Sequence, residues 1–242
     1  MNGLIALILC GGAGSRISTV APGVSKALLE VQGEPLLFRL IGFLRAQGVS
    51  QFCFAVSPRT PDIPATIRMH FGLGFDFEET YDSGMVENGG AVAAYMAENM
   101  HQQILAINAD TILRLNVSEF VRFHHHGRWP ATIAVSRRTD QPLCGNILVS
   151  DGAVKRFDTK KIGSHCNTGW VLFDPGLALR SGAFAFDSGK LEEKVYPMLA
   201  ARGELGAFDT GEAELLDVGT PERFAFANAT SYDLKWFSEK AS

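Results

Sequence analysis

The sequence predicts an α/β protein built on a doubly wound, mixed but mostly parallel sheet with inserted antiparallel strands. Three observations carry that expectation. A continuous apolar run at 4–10 is cut off by Gly11 and Gly12, the pattern of a strand buried on both faces of a parallel sheet. Strand-like and helix-like patterns then alternate as far as residue 110, as in consecutive βαβ crossovers. From residue 131 the texture changes to closely spaced strand patterns, with a hairpin signal at Asp151-Gly152.

Each element has its own local reason. Leu36, Leu37, Leu40, Ile41 and Leu44 form a one-sided helical stripe behind Pro35, and Gly48 stops it. Residues 51–57 read as the second strand, 62–71 as a short helix and 75–81 as an alternating strand. A glycine pair precedes helix formers over 89–100, and 103–110 is again a buried strand ending in polar residues. In the second half, 131–138 and 167–174 read as strands and 145–157 as the hairpin. Helices are expected near 190–202 and from Pro221 onward, with "AELLDVGT" between them. No repeat, low-complexity tract or Pro/Gly/Ser linker interrupts the chain, so residues 1–242 are expected to form a single domain.

Composition narrows the function classes. The 22 Lys+Arg stand against 26 Asp+Glu with no basic block, which argues against a nucleic-acid partner. No apolar run approaches the roughly 20 residues of a membrane span, and no positive residue precedes the apolar opening as in a signal peptide. Cys10, Cys53, Cys144 and Cys166 lack zinc-ligand spacing and sit in apolar or strand-like contexts, so buried thiols and a cytoplasmic location are expected. His124-His125-His126 cannot all face one ion on a helix, where consecutive residues point about 100° apart; a polar helix end is expected there. Trp170 reads mainly as core, with a lesser candidacy for a pocket wall.

The opening stretch, "LILCGGAGSRISTVAPGVSKALLEV" (7–31), carries the chemistry. Ligands of open parallel sheets bind outside the carboxyl ends of the strands. Gly11, Gly12 and Gly14, lacking Cβ atoms, let backbone N–H groups approach a phosphate or base edge there. A dinucleotide fingerprint needs a third glycine where Ile17 stands, and a P-loop needs Gly-Lys-Ser/Thr where Ser25-Lys26-Ala27 stands. Arg16 and Lys26 supply the fork and the point charge that a triphosphate requires.

Further motifs complete a pattern. "LCGGAGSRI" and "VSKALLEV" are followed in order by "ENGGAVAAYM" (87–96), "INADTIL" (107–113), "VKRFDTKK" (154–161), "NTGWVLFDP" (167–175) and "LLDVGTPERF" (215–224). The set resembles the sugar-1-phosphate nucleotidyltransferases and covers nearly the whole chain. In look it is most similar to the compact members that charge heptose 1-phosphate with GTP, and nearly as similar to the short cytidylyl and uridylyl members. The resemblance implies a Rossmann-like fold of the nucleotide-diphospho-sugar transferase type, in which an acceptor phosphate oxygen attacks the α-phosphorus of a nucleoside triphosphate and pyrophosphate leaves in line.

Residue by residue, the resemblance implies that Arg16, Lys26 and Asp110 are catalytic. It implies that Cys10, Gly11, Gly12, Gly14, Glu87, Asn88, Gly89 and Gly90 bind the nucleotide, and that Gly145, Lys160 and Asn167 reach the sugar phosphate. Asp110 and Asp217 are implied to hold Mg²⁺. The implied partners are a nucleoside triphosphate and a phosphorylated small-molecule acceptor, with no nucleic acid or membrane; a homo-oligomer is compatible with the pattern. The chain departs from the family at Ser25, Glu87-Asn88, Ala109 and Thr159. Glu87-Asn88 borders the implied nucleobase pocket, and Thr159 precedes Lys160. Two rival readings start from the same first half: transfer to a non-sugar phosphate such as phosphocholine, and a nucleotide-binding regulatory module without turnover.

Overall fold

The apolar opening forms strand β1, Leu4–Leu9, in a computed structural model that describes residues 3–12, 17, 20, 23–81, 88–137, 147–158, 163–184 and 189–229. A small ribbon of β2 (Glu30–Val31) and β3 (Glu34–Pro35) leads into helix α1 (Leu36–Ala46). Pro35 caps α1, its predicted stripe is buried, and Gly48 ends the turn beyond it at φ 83°. Two more crossovers follow: β4 (Gln51–Val56), α2 (Ile63–Phe71), β5 (Glu78–Tyr81), α3 (Asn88–Glu98) and β6 (Gln103–Asn108).

Strand β1 lies between β4 and β6 and is parallel to both. The chain therefore winds outward through β4 and β5, then returns to the other side of β1. Its helices divide accordingly, with α1 and α2 packing on one face of the sheet and α3 on the other. This double winding leaves a crevice at the carboxyl ends of β1 and β6.

After β6 come β7 (Thr111–Leu113), α4 (Val117–Gly127), β8 (Ala131–Ser136), β9 (Ile147–Ser150) and β10 (Ala153–Phe157). Next are β11 (Cys166–Phe173), α5 (Pro175–Arg180), a π-helical turn at Leu191–Val195 that runs into α6 (Tyr196–Ala201), β12 (Leu205–Asp209), β13 (Leu215–Asp217) and α7 (Pro221–Ala227). The described strands build one nine-stranded sheet in the order β5-β4-β1-β6-β11-β8-β12-β10-β9. Only β10 and β11 run against the rest. The expected hairpin is β9–β10, turning through Asp151 (φ 55°) and Gly152 (φ 69°), the left-handed pair of a type I′ turn.

Three local expectations change. The strand expected through residue 110 stops at Asn108, because the chain turns there and starts the separate ribbon β7–β13. The helix expected near 190–202 is a π-helical turn joined to a short helix, with Pro197 in the first turn of the latter. The histidine run does end a helix, but His124 is only 2% exposed, because Val117, Phe120 and His124 share the buried stripe of α4.

His124 Nδ1 lies 2.7 Å from Thr132 Oγ1. Burial, aided by His125, lowers its pKa from 6.5 to about 4. The unfolded chain therefore binds a proton near pH 6.5 that the folded chain refuses until about pH 4. This contribution to stability is complete above pH 6.5 and shrinks as pH falls through that window, by about 3 kcal/mol in all. Urea unfolding at pH 7.5 and pH 5 should show the loss, and His124→Gln should flatten it; an unchanged slope in the variant would assign the loss to other groups.

The described thiols Cys10, Cys53 and Cys166 are buried. Burial pushes Cys53 up to about 12 and raises Cys10 as well, so neither is a reactive thiolate. Among the described residues no helix is long and apolar enough to cross a membrane.

Candidate active site

Two carboxylates far apart in sequence meet because of one ribbon. Beyond β6 the Ala109 N–H donates to Leu9 O (3.3 Å), which places Asp110 beside the end of β1. Strand β7 then pairs antiparallel with β13, with Asp217 opposite Thr111. The Val218 N–H donates to Asp110 O (3.1 Å) and locks the two aspartates side by side.

Two cations complete the cluster. Lys26 opens a single 3-10 turn, Lys26–Leu28, and its Nζ pairs with Asp110 Oδ2. Arg223, in the first turn of α7, pairs through a guanidinium nitrogen with Asp217 Oδ2. The Gly219 N–H donates to Asp217 Oδ1 (2.6 Å). A Cβ at Gly219 would stand 2.8 Å from Asp217 Oδ1, 3.3 Å from Lys26 Nζ and 3.6 Å from Asp110 Oδ2. A side chain at this position would press on the charged groups of the cluster.

Burial raises the pKa of Asp217, and the charge of Asp110 adds to the effect; Arg223, the Gly219 N–H and Lys26 pull the other way without cancelling it. The side chains of Lys26, Asp110, Asp217 and Arg223 are each about a fifth exposed, so the four charges face one another across a partly desolvated edge of the sheet.

Gly11 and Gly12 follow β1, and Asn88 begins α3. Ser57 Oγ donates to Gly11 O (3.2 Å), and Gly12 has open space where a Cβ would be. The Cys10 N–H donates to Ala55 O (2.9 Å) and its side chain is in the core. Asn88 opens α3: its Oδ1 accepts from the Leu191 N–H (2.9 Å) and its Nδ2 donates to Glu192 Oε2 (3.4 Å). The Gly89 N–H donates to Gly189 O (2.9 Å), and Gly89 and Gly90 are buried. Burial raises the Glu192 pKa, with a smaller push from Asp110, so this carboxyl senses the aspartate cluster.

On β11, Asn167 Oδ1 accepts from the Gly169 N–H (3.2 Å), a local turn within the irregular register between Asn167 and Val171. Gly169 has φ 76°, and a Cβ there would stand 2.7 Å from Asn108 Nδ2. The glycine thus allows β11 to close against the end of β6. Trp170 is completely buried, on the core side of β11, and is not a pocket wall.

Of the predicted residues, Lys26, Asp110 and Asp217 converge. Gly11 and Gly12 continue β1 at the same edge, and Asn88, Gly89 and Gly90 open α3. Arg16, Gly14, Glu87, Gly145 and Lys160 lie outside the described residues, as do Cys144 and Thr159. Arg223, Gly219 and Glu192 are site residues that sequence patterns alone do not single out, although Gly219 and Arg223 fall inside the "LLDVGTPERF" motif. Among the described residues no three His, Cys, Asp or Glu side chains form a metal-binding group; the aspartates form a pair.

A family model described as a MobA-like NTP transferase domain matches residues 6–173, from β1 through β11. The chain belongs to that family. It is 27% identical over 231 residues to the mannose-1-phosphate guanylyltransferase catalytic subunit beta of Drosophila pseudoobscura pseudoobscura, covering 92% of this chain and 61% of that protein. It is 25% identical over 228 residues to mannose-1-phosphate guanyltransferase beta-B of Xenopus laevis, covering 90% of this chain and 62% of the relative. The chain thus spans about three fifths of the length of these curated relatives.

Among solved structures, HddC from Yersinia pseudotuberculosis superposes with a TM-score of 0.76 at 20% identity, covering 93% of this chain and 97% of HddC. HddC has also been solved in complex with GMP-PN. The inositol-1-phosphate CTP transferase from T. maritima superposes with a TM-score of 0.75 at 17% identity, covering 97% of this chain and 93% of that one. At these identities the likeness is one of fold, and the MobA-like NTP transferase domain here has the mixed α/β sheet that its sequence predicts.

Proposed function

We propose that the chain transfers a guanylyl group from GTP to an aldose 1-phosphate, giving a nucleotide sugar and pyrophosphate, with residues 1–242 acting as one catalytic domain in the cytoplasm. The observation that carries this reading is the meeting of Lys26, Asp110 and Asp217 at the carboxyl edge of β1 and β6. GTP as donor is supported by the guanylyltransferase names of the curated relatives. For the acceptor, those names favour mannose 1-phosphate and the motif resemblance favours a heptose 1-phosphate; both are aldose 1-phosphates.

In this reaction an acceptor phosphate oxygen forms a bond to the α-phosphorus while the bond from that phosphorus to the bridging oxygen of pyrophosphate breaks. The nucleophile is already ionised, so no general base is needed. The protein's task is to align two anions and offset the charge of the transition state. Gly11 and Gly12 admit the nucleotide to the strand end, the start of α3 borders the base, and Lys26 stands where negative charge builds on the α-phosphoryl group. In the same reading Arg16 and Gly14 hold the leaving phosphates, Cys10 and Glu87 border the nucleotide, and Lys160, Asn167 and Gly145 reach the acceptor.

The donor set fits a divalent cation. Asp110 and Asp217 offer hard carboxylate oxygens side by side, and their mutual repulsion, which helps to raise the Asp217 pKa, is what such an ion relieves. Asp110 and Asp217 would hold Mg²⁺, which when bound neutralises phosphate oxygens as a Lewis acid.

The reading is tested by pyrophosphate release in Mg²⁺, crossing GTP, CTP, UTP, ATP and dTTP with mannose, heptose, glucose and N-acetylhexosamine 1-phosphates and phosphocholine. Release is expected with GTP and one aldose 1-phosphate. Release with phosphocholine alone would replace the sugar by a non-sugar acceptor, and nucleotide binding without release from any pair would replace turnover by a binding role.

A further inference from the structure

We propose that Arg223 is a positioning residue whose guanidinium holds Asp217 Oδ2, so that a divalent ion binds Asp217 only in competition with it. The inference rests on the reading of Asp110 and Asp217 as the cation pair. Its first support is geometric. Each aspartate oxygen Oδ2 is already paired, Asp110 with Lys26 and Asp217 with Arg223, while Asp217 Oδ1 accepts from Gly219. Among the described residues, the two carboxylates and the two cations paired with them sum to no net charge, so the paired groups by themselves offer a dication little long-range attraction.

The second support is local and independent. Thr220 caps α7, its Oγ1 accepting from the Arg223 N–H (3.4 Å). In a capping box the residue three beyond such a threonine is Glu or Gln, and a cation in the first turn is opposed by the helix dipole. Here that position is Arg223. An arginine against the rule for its own helix, directed at a partly buried carboxylate, fits a placement set by the site rather than by the helix.

The carboxylate pair does not by itself require Arg223. Lys26 is on Asp110, and the Gly219 N–H orients Asp217 whether or not the guanidinium is present. Loss of the arginine charge leaves a cluster with a net negative charge and a freed oxygen on Asp217. Arrival of a dication in the native protein must instead move the guanidinium off Asp217, toward the edge where phosphate oxygens would accept from it.

The test is Mn²⁺ binding to the intact protein without nucleotide, followed by electron paramagnetic resonance of the free ion. Arg223→Gln should bind Mn²⁺ about tenfold more tightly than the native protein, Arg223→Lys should remain within about twofold of native, and Asp217→Asn should lose the site. A structural role alone would make Arg223→Gln bind more weakly, so the sign of the change separates the two. Equal or weaker binding by folded Arg223→Gln overturns the inference while Asp217→Asn still reports the site. If Asp217→Asn binds Mn²⁺ as well as the native protein does, the assignment of the cation pair falls, and the inference with it.

Discussion

Asp110→Ala is expected to lower pyrophosphate release by about a thousandfold, roughly 4 kcal/mol of transition-state stabilisation, while the variant stays folded. Three features make this the most sensitive position. Asp110 sits where β6 hands over to β7, it holds Lys26, and its main chain accepts from Val218, the neighbour of Asp217. In the proposed reading, removal of its carboxylate takes away one oxygen donor of the cation pair and releases the lysine assigned to the α-phosphoryl group. The backbone bond from Val218 does not use the side chain, so the β7–β13 ribbon should survive. Because Lys26 is about a fifth exposed, it can regain part of its hydration, and the stability loss should stay below the roughly 3–5 kcal/mol of breaking a fully buried pair. Turnover, thermal midpoint and circular dichroism on the same preparation check this; near-native release from a folded variant would remove Asp110 from the chemistry.

The largest stability effect is expected at Trp170, where alanine should cost about 3–5 kcal/mol. Trp170 is wholly buried between the sheet and α1, with the Phe43 ring edge-on at 6.3 Å. Its Nε1–H is buried and finds no hydrogen-bond partner among the described residues. Trp170→Phe, which removes that orphaned donor and keeps most of the packing, should therefore cost far less, about 1 kcal/mol. Chemical unfolding of the three proteins measures both, and the acceptor KM of the folded variants separates core from pocket. An alanine variant of native stability with a raised acceptor KM would return Trp170 to the pocket wall.

The fold was readable wherever a pattern was local. The buried run of β1, the stripe of α1 behind Pro35 and the Asp151-Gly152 turn are short-range signals, each dictated by side-chain periodicity or by backbone conformation within a few residues. The double winding followed from their alternation, because parallel strands need crossovers and crossovers place helices on both faces. The glycine turn and the motifs around Lys26, Asp110 and Asp217 were equally readable, since short-range order preserves their spelling.

Contacts between distant segments were not. The sequence shows Asp110 at the end of a strand and Asp217 before Thr220-Pro221; only the antiparallel register of β7 with β13 sets them side by side. Nothing local marks Arg223 as facing Asp217, and its helix would by itself favour an acidic residue there. His124 looked like one of three polar residues until the packing of α4 decided which of them turned inward. Nor does the sequence show that both groups of the Asn88 carboxamide are bonded to the Leu191–Val195 turn. Local order determines the elements and the chemical inventory because both depend on neighbours along the chain. The charge cluster is decided by tertiary structure, because its energies come from burial and from pairings between segments that meet only when the sheet closes.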